Sequence, residues 1–242
     1  MAEESKLLKL PENWHRALAV AAHPDDLEYG TSSAIACWTS QGKEVFYLIV
    51  TKGEAGIDSM RPEETARVRV NEEIASARAV GVDTVEFLDY KDGVVEYGLP
   101  LRRDITRVIR RHRPDVIING NYEMTWGGGS FNMADHRSVG IAVLDAARDA
   151  GNRWIFPELL EEGYEPWNGV KMIFVSHPPK STHAVDVTDF IERGVASLRE
   201  HKVYIDNLSQ SFDPEEYLRW GAAETGERAG CEYAVAFGLL EL

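Results

Sequence analysis

The chain has 242 residues, 44% hydrophobic and 27% charged, ordinary values for a globular protein and enough for one sizeable α/β domain. A formal net charge of −14 argues against a nucleic acid or an anionic membrane surface as the main partner. No apolar run approaches the roughly 20 residues of a membrane span. With Cys37 and Cys231 lacking any CxxC spacing and a short, charged 1–9 segment unlike a signal peptide, the expectation is a cytoplasmic protein with reduced thiols.

In chain order, the run 17–20 (Ala-Leu-Ala-Val) reads as a short buried strand. It leads into a turn carrying His23, Pro24, Asp25 and Asp26, and a helix over 31–41 follows, stopped by Gly42. The wholly apolar 45–50 reads as a strand covered on both faces of a parallel sheet. A Gly-containing loop over 51–56 follows, and Pro62 opens a long helix over 63–80 that stops at Gly81. A third strand is expected over 85–88, a third helix from Pro100 to His112, and a fourth strand over 116–118 after the break at Arg113-Pro114. A long Gly-rich loop, 119–134, then leads to Asp135-His136 and a helix to Ala150. Strands are expected over 172–175 and 184–187, and helix over 189–208 and from Pro214 to the end of the sequence.

Alternating strands and helices imply right-handed βαβ units. The expected fold is a Rossmann-like α/β domain spanning 1–242, with a doubly wound, mostly parallel sheet. In the common strand order 3-2-1-4-5 the first and fourth strands are neighbours, and the crevice at their carboxyl ends is the usual ligand site. His23 and Asp26 sit in the first turn and His136 follows the fourth strand, so the three could share one divalent metal with a coordination position left open. Asp25, between two ligands, would be the general base for a metal-activated water. A dinucleotide site is disfavoured, because the first turn has no glycine and carries two carboxylates where a pyrophosphate would lie.

The string Ala-His-Pro-Asp-Asp after the first strand, the Thr-x-Gly-Glu loop after the second and the Asp-His pair after the fourth resemble the LmbE/PIG-L zinc-dependent deacetylases. The resemblance covers 17–150 well. It implies hydrolysis of the acetyl group from an N-acetylglucosamine-type conjugate, a small N-acylated amino-sugar substrate, and zinc or another divalent metal on His23, Asp26 and His136, with Asp25 as base. It matches Glu54 and Asp92 to positions near the sugar, suggests Arg69 as a sugar contact, and makes Asp135 a carboxylate that orients a histidine. Trp126 and Phe131 are candidates for an aromatic wall. The chain departs from the family pattern where Met133 and Phe131 stand in place of a histidine and a tyrosine. Asn132 or His183 could fill the missing role, His183 as a proton donor, with His177 a weaker candidate; His15, His112 and His201 read as surface or helix residues. An amidase acting on a mycothiol S-conjugate or an acylated natural product, and a non-catalytic metal-binding relative, stay open, as does a homo-oligomer.

Overall fold

In a computed structural model that describes residues 6–127 and 129–242, the β2 strand Arg16–Ala21 lies inside an eight-stranded sheet. Period-two alternation sends its side chains to two different layers. Ala17, Ala19 and Ala21 face a core containing Trp38, Tyr47, Phe174 and Phe237, and their small size makes room for those rings. Leu18 and Val20 face a second, aliphatic core with Leu48, Ile105, Ile109 and Val143. Each face is closed by helices, which is why the strands are apolar throughout rather than alternating.

β2 pairs in parallel with β3 (Glu44–Thr51) and β5 (Val116–Asn119). β3 continues to β4 (Thr84–Tyr90), and β5 to β8 (Met172–Ser176). These five strands have the expected 3-2-1-4-5 order. α1 (Ser32–Ser40) and α2 (Pro62–Ala79) follow β2 and β3, while α3 (Leu99–His112) and α4 (Ala134–Asp149) follow β4 and β5 and pack on each other.

The carboxyl-terminal third departs from expectation. Only 214–229 of the terminal stretch is helical (α8, Pro214–Ala229). Gly230, at φ 84°, ends that helix, and the β10 strand Ala234–Glu241 follows. β10 inserts antiparallel between β8 and β9 (His183–Asp186), and β1 (Leu8–Lys9) pairs on the far side of β9. The expected long loop contains a small hairpin, β6 (Thr125–Gly127) with β7 (Ser130–Phe131). The stretch expected as helix over 189–208 divides into α6 (Ile191–Leu198) and α7 (Lys202–Asp206). Between α4 and β8, Glu158–Glu161 forms the single turn α5. Arg110 at the end of α3 is buried and donates to the carbonyls of Asp149, Ala150, Asn152 and Ile155, so it fastens α4 to α3 instead of compensating its own helix dipole in solvent. Among the described residues no helix is long and apolar enough to cross a membrane.

Candidate active site

At the carboxyl end of β2 the chain folds back on a carboxylate. Asp26 Oδ2 accepts hydrogen bonds from the backbone N–H groups of Ala22 (3.0 Å) and His23 (2.8 Å). That closes the turn and leaves Oδ1 directed at His136 Nε2, 3.0 Å away. His136 stands in the first turn of α4, so β5 and its connection deliver it beside β2. His23 Nδ1 lies 3.2 Å from His136 Nε2. The three residues named from sequence as metal ligands therefore converge within 4.8 Å of one another.

The outer partners of the two histidines decide what this cluster can bind. His23 Nε2 faces Asp92 Oδ1 at 3.0 Å and Asp135 Oδ2 at 3.2 Å, and so carries a proton. His136 Nδ1 donates to Asn132 Oδ1 at 3.0 Å. With those nitrogens protonated, the neutral rings turn two lone pairs toward each other. Such a pair repels unless a cation lies between them, and N and O donors held by carboxylates from outside are a normal divalent-metal arrangement. The surrounding carboxylates favour positive charge at this centre, a proton and a metal ion alike. Burial opposes a charge on His23, but Asp26, then Asp135 and Asp92, outweigh it and hold its pKa well above the ordinary value. Burial likewise pushes Asp26 up, yet His136 and His23 hold it well below the usual carboxylate range.

Asp25 sits apart from the cluster. Its φ of 98° is a left-handed conformation that costs a non-glycine residue of order 1–3 kcal/mol. Its N–H donates to Glu73 Oε2 (3.1 Å) and its Oδ1 pairs with Arg69 Nη2 (3.0 Å). Arg69 also donates to the carbonyls of Pro24 and Gly53, and its guanidinium lies 4.1 Å over the Tyr204 ring. Burial raises the Asp25 carboxyl; Arg69 pulls it back, Asp26 raises it again, and it comes to about 6.

Other expected site residues have different roles. Asn132 is buried, and its Nδ2 donates to the carbonyls of Asn121 and Glu123; it braces His136 and the loop, which leaves its amide no free donor for a sugar. Asp135 orients His23 rather than its neighbour, and ties down the loop after β4 by accepting from Gly93 N and Val95 N. Asp92 lines the cavity, with one oxygen on His23 and the other accepting from Ala55 N. Glu54 accepts from Asp92 N, its second oxygen is buried, and it does not line the cavity. Trp126 does, with its ring edge-on to His136 at 5.3 Å, whereas Phe131 is exposed beside Arg137.

His183 requires a correction. It stands on β9 opposite Leu8 and Phe237, with Nδ1 on Thr182 Oγ1, and lies outside the cavity wall because β10 and β8 separate β9 from the centre of the sheet. His177, at the end of β8, is the histidine that lines the cavity, 6.1 Å from Trp126 and packed closely enough that a Cβ on Gly30 would fall 2.2 Å from its Nε2. Burial lowers its pKa. Two further residues escaped the sequence reading: Glu73, which reaches the site only because the helix face that carries Arg69 also carries it, and Tyr204, on a one-turn helix without a recognisable signal. The cavity, about 990 Å³, runs from the His23–His136 cluster past Trp126 and Met133 to Tyr217 and Trp220 of α8.

A profile of the PIG-L family, described as GlcNAc-PI de-N-acetylase, matches residues 18–147. A diacetylchitobiose deacetylase of Thermococcus kodakarensis is 28% identical over 222 residues, which is 90% of this chain and 80% of that protein. A 1D-myo-inositol 2-acetamido-2-deoxy-alpha-D-glucopyranoside deacetylase of Kineococcus radiotolerans is 27% identical over 74% of this chain and 56% of its own length. Among solved structures, the N,N'-diacetylchitobiose deacetylase of Pyrococcus horikoshii, in complex with an inhibitor, superposes with a TM-score of 0.86 at 27% identity, covering 94% of this chain and 84% of that one.

Proposed function

The chain belongs to the PIG-L family, and from that premise we propose that it is a metal-dependent deacetylase that hydrolyses the acetamide of a small N-acetylglucosamine-type conjugate. The observation that carries this reading is the pair of imidazole nitrogens 3.2 Å apart, with Asp26 Oδ1 3.0 Å from one of them, next to a buried carboxylate that is not part of the cluster. His23 through Nδ1, His136 through Nε2 and Asp26 through Oδ1 would hold the metal, and zinc suits two imidazoles and one carboxylate. Bound there, the metal supplies Lewis-acid polarisation of the water and of the acetamide carbonyl.

Asp25 takes the proton of the attacking water. A base poised near 6 is ionised at neutral pH yet basic enough to accept a proton. Arg69 fixes its carboxylate from the far side, and the left-handed backbone at Asp25 aims it away from the ligands. The protonated carboxyl then returns that proton to the departing amine, so one group serves both steps. His177 forms part of the wall around this chemistry. A cavity of about 990 Å³ lies at the upper end of small-molecule sites, roughly 300–1,000 Å³, which supports a sugar carrying a second ring or other conjugate. Diacetylchitobiose, the substrate in the names of the Thermococcus kodakarensis and Pyrococcus horikoshii relatives, is the first compound to test. The assay is amine release from diacetylchitobiose and related N-acetylated sugars by metal-loaded protein. Absence of release from every N-acetyl sugar, by protein shown to hold its metal, would overturn the proposal.

A further inference from the structure

Beside the Asp25 turn, outside the set of residues that line the cavity, lies a second group of ionisable side chains that the proposed chemistry does not use. Glu28, Glu73 and His201 each have no solvent exposure. His201, expected from sequence at the surface or on a helix, caps α7 from inside the fold. His201 Nε2 is 3.6 Å from Glu28 Oε2 and 3.7 Å from Glu73 Oε2. Glu28 Oε2, Glu73 Oε1 and both ring nitrogens of His201 have no hydrogen-bond partner among the described residues, and neither does the buried hydroxyl of Tyr47. Burial, then the two carboxylates, pushes that phenol well above its ordinary pKa.

We propose that Glu28, Glu73 and His201 form a second divalent-cation site, structural in role, that backs the turn carrying Asp25. The spacing carries the argument. At 3.6–3.7 Å the groups are beyond a hydrogen bond, whose limit is about 3.2 Å. A single water bonded to two of them at about 2.8 Å, with tetrahedral angles, would hold them about 4.6 Å apart. Two donors each about 2.1 Å from one ion, at an angle of about 120°, stand about 3.6 Å apart, as found here. Charge agrees with distance. Two carboxylates held side by side in a dry interior repel each other when ionised, and a divalent ion cancels that charge. Two neighbouring hydrogen bonds hold the carboxylates in place around such an ion: Ser76 Oγ donates to Glu28 Oε1 (2.8 Å) and Asp25 N donates to Glu73 Oε2. Through that last bond the ion would fix the carboxylate that holds the left-handed Asp25. A fully enclosed site fills as the chain folds, so its metal should resist chelators under native conditions.

The test is metal stoichiometry of the full-length chain, refolded in zinc or in manganese, desalted, and counted by plasma mass spectrometry. The wild type should hold about two equivalents per chain. His136→Ala should hold about one, resistant to chelator; His201→Gln or Glu73→Gln should also hold about one, now removable by chelator. The wild-type count decides the matter even if neither interior variant folds. One equivalent in the wild type, lost in His136→Ala, would overturn the second site and leave the deacetylase reading intact. Two equivalents with no amine release would do the opposite.

Discussion

His136 is the proposed ligand that the fold delivers from a distant part of the chain, and its replacement is the most direct probe of the assignment. His136→Ala should abolish amine release and remove the chelator-accessible metal, because two ligands do not retain a catalytic ion. Full occupancy and rate in that variant would show that the convergence of His23, Asp26 and His136 is not a metal centre. Asp25 makes the complementary case. Asp25→Asn keeps a side chain that tolerates the left-handed backbone, so fold and metal content should stay while kcat falls about 10²–10⁴-fold. Loss of metal in that variant would make Asp25 a ligand instead. At this scale the sequence was most legible where residues are close in the chain. The spacing of His23, Asp25 and Asp26 separates the two aspartates: Asp26 joins His23 and His136, and Asp25 pairs with Arg69 outside that cluster. The second histidine of the cavity was not legible. His183 and His177 both flank short apolar runs, and only the insertion of β10 decides that His177 reaches the site and His183 does not.

Among the elements, β10 does most to hold the carboxyl-terminal third to the parallel sheet. Its Phe237 is fully buried against Trp38 (5.8 Å between centroids) and Phe174 (6.1 Å). Phe237→Ala should cost about 3–5 kcal/mol and lower Tm by about 10 °C, read by calorimetry. A change of under about 1 kcal/mol would mean that the core collapses around the vacancy or that this strand is dispensable. The five parallel strands were legible because runs such as 45–50 are apolar at every position, a pattern that a helix packed on one face does not need. The stretch 234–240 has the same apolar character without a turn signal strong enough to separate strand from helix, since period alone does not distinguish them in short apolar runs. The hairpin of β6 and β7 escaped because its strands are only three and two residues long.

For the molecule as a whole, acid should weaken the join between the strands, and Asp115 is where it can be measured. Its Oδ2 accepts from the backbone N–H of His15 (2.9 Å) and Arg16 (3.0 Å), fixing the start of β2 against β5. Burial raises this carboxyl, but those two donors and then Lys171 prevail and lower it below the usual range. A depressed carboxylate stabilises the fold above its unfolded pKa of about 3.9 and ceases to do so as pH falls through the lower folded value. Asp115→Asn should therefore have a lower urea midpoint than the wild type at neutral pH, and the two should converge below about pH 4. A gap that does not change with pH would assign the effect to shape rather than charge. The place of β10 also has a consequence during synthesis. The outward edge of β8 is complete once residue 176 has left the ribosome, but the strand that covers it ends only at 241. At about 5–20 residues per second, that edge stands open on a growing chain for several seconds, a template on which another chain could pair. Pro178 and Pro179, one residue beyond the end of β8, lack N–H donors and keep the exposed ladder from growing longer while it waits.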